Sequence, residues 1–85
     1  MRENVERSVA IRYDDSLPAP FIVARGRGKL AQELNRVAVS HGIPVIEDEQ
    51  LSGLLYSVEV GDTIPYETFE AVANVLAFVY SVSGK

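Results

Sequence analysis

Cysteine is absent from this 85-residue chain, which excludes disulfides and thiolate metal sites. Histidine occurs once, at His41, and a histidine-based metal cluster is excluded with it. No apolar run approaches the roughly 20 residues that span a bilayer. The charged N-terminus, Met1-Arg2-Glu3-Asn4-Val5-Glu6-Arg7, lacks the apolar segment of a signal peptide. These absences fit a cytoplasmic protein without direct membrane insertion. Positive charge is outweighed: 8 Lys and Arg face 12 Asp and Glu, a net charge of −4. That balance argues against nucleic acid as a partner, which requires a dense positive field to displace phosphate counterions. It argues equally against docking on anionic lipid. Internal repeats and low-complexity tracts are missing too. Hydrophobic residues make up 47% of the chain, enough for the core of one small domain that must hold without staples.

Residues 7–13 alternate, with Val9, Ile11 and Tyr13 on one side, and this period of two predicts a half-buried strand. The following stretch, 14–20, holds Asp14, Asp15, Ser16, Pro18 and Pro20. It reads as a loop, because proline removes a backbone donor and restrains the residue before it. Phe21-Ile22-Val23-Ala24 is a continuous apolar run suited to a strand covered on both faces. Beyond Gly26 and Gly28, the residues Leu30, Ala31, Leu34, Val37 and Ala38 fall on one helical stripe. Gly42 stands where a left-handed cap is needed, and Pro44 blocks continuation. Residues 43–46 read as a second buried strand, so 21–46 predicts a right-handed βαβ unit with parallel strands.

Asp48 is placed to cap a short helix carrying Leu51, Leu54 and Leu55. Pro65 suits a first helical turn, and Glu67 and Glu70 lie near its positive end. Phe69, Val72, Ala73, Leu76, Val79 and Tyr80 then form one apolar stripe. Val75, Ala77 and Phe78 fall outside it. Either several elements wrap this helix, or part of it is an exposed contact surface. The predicted fold is a single α/β domain over 7–82, with tails at 1–6 and 83–85. Its sheet is small and mixed, with about three strands and one βαβ unit. The helices run over about 29–41, 48–56 and 65–81.

No catalytic constellation stands out. Gly26-Arg27-Gly28-Lys29-Leu30 opens a helix after a strand, where phosphate loops sit. The glycine spacing matches neither a Walker loop nor a dinucleotide fingerprint, so turn geometry explains it better. Arg25, Arg27, Lys29 and Arg36 form a basic cluster, read either as a solvated helix end or as a docking spot for an acidic partner. His41 precedes the cap and suits the negative end of a helix dipole better than it suits general-base chemistry. Glu47-Asp48-Glu49 reads as capping and first-turn charge, not as a metal site. No cofactor and no metal are implied.

Three stretches carry a resemblance. Tyr13 and Asp14 with Ala19-Pro20-Phe21-Ile22-Val23-Ala24-Arg25-Gly26 form the first. His41-Gly42-Ile43-Pro44-Val45-Ile46-Glu47 is the second. The third joins Leu54-Leu55-Tyr56, Val58-Glu59-Val60-Gly61-Asp62-Thr63-Ile64-Pro65 and Ala71-Val72-Ala73-Asn74-Val75-Leu76-Ala77-Phe78-Val79-Tyr80. In order and spacing, 9–81 resembles the cytoplasmic domain of the type III export switch proteins, the FlhB/YscU family. The resemblance implies a role in flagellar or virulence protein export, with protein partners and no enzyme activity.

The family's hallmark is self-cleavage between the Asn and Pro of an Asn-Pro-Thr-His motif. The positions that fall there in this chain are Glu3, Asn4, Val5 and Glu6, and no Asn-Pro pair occurs anywhere. The chain is therefore expected not to cleave itself, and to be a short stand-alone homologue lacking the family's membrane part. The resemblance also implies an apolar patch for export substrates at Ala19, Pro20, Ala73 and Leu76, with Ala19-Pro20 as an exposed rigid edge. The expected function is a non-cleaving module that binds export substrates or apparatus components. A regulator competing with the full-length switch protein is the alternative, and a small phosphate-ligand enzyme is the weakest reading.

Overall fold

Two antiparallel strands carry the centre of the domain in the computed structural model, which describes residues 6–83. β1 (Arg7–Arg12) pairs with β2 (Phe21–Arg27). Val9 lies opposite Arg25, and Ile11 lies opposite Ile22. Directly opposed residues share a face, and so do residues two apart. Ile22 and Arg25, three apart, can share the face of Val9 and Ile11 only if one residue is extra. That residue is Val23: the register slips between Ala10 and Ile11, and Val23 is left exposed as a bulge.

The two faces of the sheet then receive different helices. α1 (Lys29–Ser40) covers the Ser8 and Gly26 face, where the Ser8 hydroxyl donates to Asn35 Oδ1 at 2.6 Å. Gly26 is needed there, since a Cβ would stand 2.8 Å from Leu30 Cγ and 3.1 Å from the Leu30 carbonyl carbon. α2 (Glu49–Tyr56) and α3 (Phe69–Ser83), the latter entered through a 3-10 turn at Tyr66–Thr68, serve the opposite face. Ile22, Leu51, Leu55, Ile64 and Val72 form the core there, with Val9, Ile11, Val58, Val75 and Leu76 packed against it. Each fully buried aliphatic chain contributes about 1.5–3 kcal/mol by leaving water.

The helix ends follow the signals in the sequence. Asp48 accepts from the Leu51 N–H at 3.0 Å and caps α2. At the end of α1, the Gly42 N–H reaches the Val39 carbonyl and the Ile43 N–H reaches the Ala38 carbonyl. That pair of bonds is a Schellman motif, and it requires Gly42 at φ 74°. His41 Nδ1 lies 2.9 Å from the Val37 carbonyl oxygen, at the negative end of the same helix.

The single α/β domain with its three helices stands as read, but the predicted βαβ unit and third parallel strand are not formed. The sheet has two strands, both antiparallel. Residues 43–46 are irregular and Ile43, Val45 and Ile46 are exposed, because no described strand lies within hydrogen-bonding reach of them. The segment that does join the sheet is 61–64. Gly61 donates to Ile22, Ile22 donates to Asp62, and Ile64 donates to Pro20, with Phe21 and Thr63 forming an antiparallel bridge.

Candidate docking groove

The bond from the Ile64 N–H to the Pro20 carbonyl, 3.0 Å long, ties the 14–20 loop to the entry of α3. The loop is shaped from its other end by Asp14. Its Oδ1 accepts from the Ser16 hydroxyl at 2.5 Å and from the Ser16 N–H at 2.9 Å. The Leu17 N–H closes the turn on the Asp14 carbonyl. The Ser16 hydroxyl, then the Ser16 N–H and the nearby Arg12, hold the Asp14 carboxyl below its ordinary value.

Between this loop and α3 lies a groove of about 860 Å³. All four residues of the expected patch line it: Ala19, Pro20, Ala73 and Leu76. Ala73 is exposed, while Pro20 and Leu76 are half-buried. Ala19 departs from expectation. Only 9% of it is exposed, so it forms the floor of the groove and not a projecting edge. Its methyl packs inward because Pro20 is clamped to Ile64.

Four aromatic rings stand at the same groove: Tyr13, Tyr66, Phe69 and Tyr80. Tyr66 is 82% exposed and Tyr80 60%, values that leave most of each ring open to a partner. Tyr66 and Phe69 support one another, with ring centroids 5.4 Å apart and planes inclined at 52°. Glu67 and Glu70 add negative charge to the rim. Sequence reading missed the tyrosines, because Tyr13 and Tyr80 come from opposite ends of the chain and meet only through the fold. The one signal available was that rings are abundant where chains bind one another.

Of the two readings of α3, exposure prevails. Val72 is its one fully buried side chain among the described residues, and Ala77, Phe78 and Tyr80 are open. The basic cluster, by contrast, does not assemble. Arg25 turns inward, donating from Nη1 to the carbonyls of Tyr56 at 2.6 Å and Val58 at 2.8 Å. Its guanidinium also lies 5.4 Å from the Tyr56 ring centroid. Arg36 pairs with Glu33 on the exposed face of α1, which holds the Glu33 carboxyl below and the Arg36 guanidinium above its usual value.

The Gly28 amide, which a phosphate loop would offer to its ligand, donates instead to the Glu6 carbonyl at 2.8 Å. Glu6 is exposed, and its carboxylate accepts from Asn35 Nδ2 at 3.1 Å. The other positions aligned with the cleavage motif, Glu3, Asn4 and Val5, lie outside the described residues. Among the described residues no helix is long and apolar enough to cross a membrane, and no three His, Asp or Glu side chains gather as a metal site.

Comparison with known proteins places this fold. The chain is 35% identical to the flagellar biosynthetic protein FlhB of Bacillus subtilis across 92% of its own length, but it spans only 22% of that relative. It is 33% identical to the uncharacterized protein YlqH of the same organism, covering 92% of this chain and 85% of YlqH. In three dimensions it superposes on the cytoplasmic domain of FlhB from Shewanella putrefaciens with a TM-score of 0.80. That match has 34% identity and covers 85% of this chain and 62% of the other. The profile of the FlhB, HrpN, YscU and SpaS family fits residues 4–79, and the chain belongs to that family.

Proposed function

We propose that this domain is a docking module of flagellar or type III protein export, working in the cytoplasm beside the export apparatus. It binds export substrates or apparatus components through the groove between the 14–20 loop and α3, and it acts without chemistry of its own. The observation that carries the reading is convergence. Ala19, Pro20, Ala73 and Leu76, marked by family resemblance, line one apolar groove together with four aromatic rings. Rings rimming an apolar floor give a partner large contact area at low entropic cost. The groove is small beside a standard interface, so binding is weak and reversible, on the order of micromolar or weaker. That suits a module through which successive substrates must pass.

A calorimetric titration with an export substrate of the same organism tests this. Ala73→Glu places a charge on an exposed helical position, so the fold survives while the apolar contact is lost. Affinity should fall by about tenfold or more. Equal affinity for both proteins removes the groove from the account. The module is also proposed to stay intact, since no Asn-Pro bond is present to cleave.

A further inference from the structure

The docking groove is not uniform along its length. Glu70, Ala73, Ala77 and Tyr80 all line it, and their spacing of i, i+3, i+7 and i+10 puts them on one stripe of α3. At about 1.5 Å of rise per residue, the stripe is about 15 Å long. Tyr80 makes its C-terminal end aromatic. The two alanines make its middle shallow and apolar, faced by Ala19 and Pro20 from the loop. Its N-terminal end carries Glu70 and, from the 3-10 turn, Glu67. Among the described residues no Lys, Arg or His lines the groove.

Both carboxylates are exposed and unanswered. The ion pairs among the described residues join Arg12 to Asp14, Arg25 to Glu59 and Arg36 to Glu33. Neither Glu67 nor Glu70 accepts a hydrogen bond there. Three residues apart on one helical face, the two repel one another. The positive end of α3 offsets part of that repulsion, and a cation between them removes more of it. Tyr66 stands at the same end of the groove. Phe69 supports one side of its ring, and the ring is left 82% exposed. An open aromatic face beside two carboxylates suits a guanidinium above other groups. That group stacks on the ring and donates to both carboxylates from one plane.

We propose that the groove selects polypeptide segments in which an arginine lies about three residues from a large apolar side chain. The apolar side chain seats against Leu76 and Ala77, and the arginine reaches Tyr66, Glu67 and Glu70. Ala77 and Glu70 are seven helical residues apart, about 10 Å. An extended segment covers that distance in about three residues. Apolar burial supplies most of the affinity. Glu67 and Glu70 rank one segment above another, by attracting a cation and repelling an acidic side chain. Lysine, a point charge without the planar fork, takes second place. This inference rests on the proposed docking in the groove and names the class of segment docked. Family resemblance marked Ala19, Pro20, Ala73 and Leu76; the charge preference comes from residues that it did not mark.

The test is a titration of the full isotope-labelled chain with the synthetic peptide Ser-Phe-Leu-Ser-Ser-Arg-Ser, read by amide shifts. Three further peptides replace its arginine by lysine, glutamine or glutamate. The arginine peptide should bind about fivefold more tightly than the glutamine peptide, and the glutamate peptide should bind most weakly. That gap should close at about 1 M salt. Glu67→Gln combined with Glu70→Gln, both at exposed positions, should bring the arginine peptide down to the glutamine peptide. Glu67→Lys combined with Glu70→Lys should invert the order in favour of glutamate. Circular dichroism checks that each variant is folded. Equal binding of the arginine and glutamine peptides overturns the proposal, and so does a gap that survives the double glutamine variant. If Ala73→Glu still weakens the glutamine peptide in those cases, the groove docks segments without choosing by charge. No binding of the arginine peptide up to about 1 mM also overturns the proposal. The docking reading then stands or falls on the titration with an export substrate.

Discussion

Arg25 shows how far a single side chain can depart from its apparent role. Beside Arg27 and Lys29 in sequence it reads as part of a charged surface. In the fold it reaches under Tyr56 and binds two carbonyls that have left helical pairing. Its position opposite Val9, on the core face, follows from the bulge at Val23. Nothing local to Arg25 reports that bulge, so the inward turn was not legible. Removing the guanidinium leaves the carbonyls of Tyr56 and Val58 without their donor. Hydrogen bonds to charged groups are worth about 1.5–3 kcal/mol. Arg25→Ala should therefore cost about 2 kcal/mol, a fall of about 10 °C in melting temperature for a domain this size. Arg25→Lys, which lacks the planar fork, should recover only part of it. Urea and thermal denaturation followed by circular dichroism measure both.

Asp14 gives a prediction in pH. Its carboxylate is held by Ser16, and its folded pKa lies below the ordinary value of 3.8. A carboxyl whose pKa is lower when folded stabilises the fold above its unfolded value and loses that contribution as pH falls through the folded one. Acidification below about pH 4 should loosen the 14–17 turn first, seen as a loss of Ser16 amide protection. Asp14→Asn should show no such acid transition in the loop. The group is exposed, so the change is local and global stability should hardly move.

At the scale of elements, legibility divided along a physical line. α1 and α2 were readable because their information is local: stripes at helical spacing, Asp48 as a cap, Gly42 as a stop. Asp48→Ala should cost about 1 kcal/mol through the lost cap on α2, with denaturation midpoints as the measure. Gly42→Ala forces a Cβ into a left-handed position and should cost about 1 kcal/mol or more. Residues 43–46 misled for the opposite reason. A short apolar run has the same composition whether it pairs or lines a groove, and pairing is decided by what lies beside it. Gly61-Asp62-Thr63-Ile64 shows the converse. It has the look of a turn and yet bonds alongside β2, because Ile22 and the preceding Pro20 offer it free groups.

α3 is the element whose exposure bears most on function. Phe78 is 56% exposed and does not line the Ala73 groove, whereas Tyr80 does. Tyr80→Ala should weaken substrate binding several-fold, and Phe78→Ser should leave it unchanged while improving solubility. Titration calorimetry on the two variants separates a defined groove from general stickiness of the helix. Half of the groove was visible in sequence, through Ala19, Pro20, Ala73 and Leu76, and that half came from family resemblance. The aromatic half was not, since Tyr13 reaches α3 only through the 14–20 loop that the Pro20–Ile64 bond ties to the helix entry.

Taken whole, the molecule keeps a family fold while its sequence holds no Asn-Pro bond. Intact-mass measurement after prolonged incubation should show a single species at the full 9.3 kDa. A break after Asn4 would contradict the non-cleaving reading. The acidic balance, at −4, weighs against nucleic acid and anionic lipid, and protein remains the proposed class of partner.

The most direct measurement is an NMR titration of the labelled chain with an early flagellar export substrate from the same organism. Docking predicts shifts gathered at Ala19, Ala73, Leu76 and Tyr80, saturating with one site. Shifts absent at millimolar substrate, or gathered elsewhere on the domain, would contradict it.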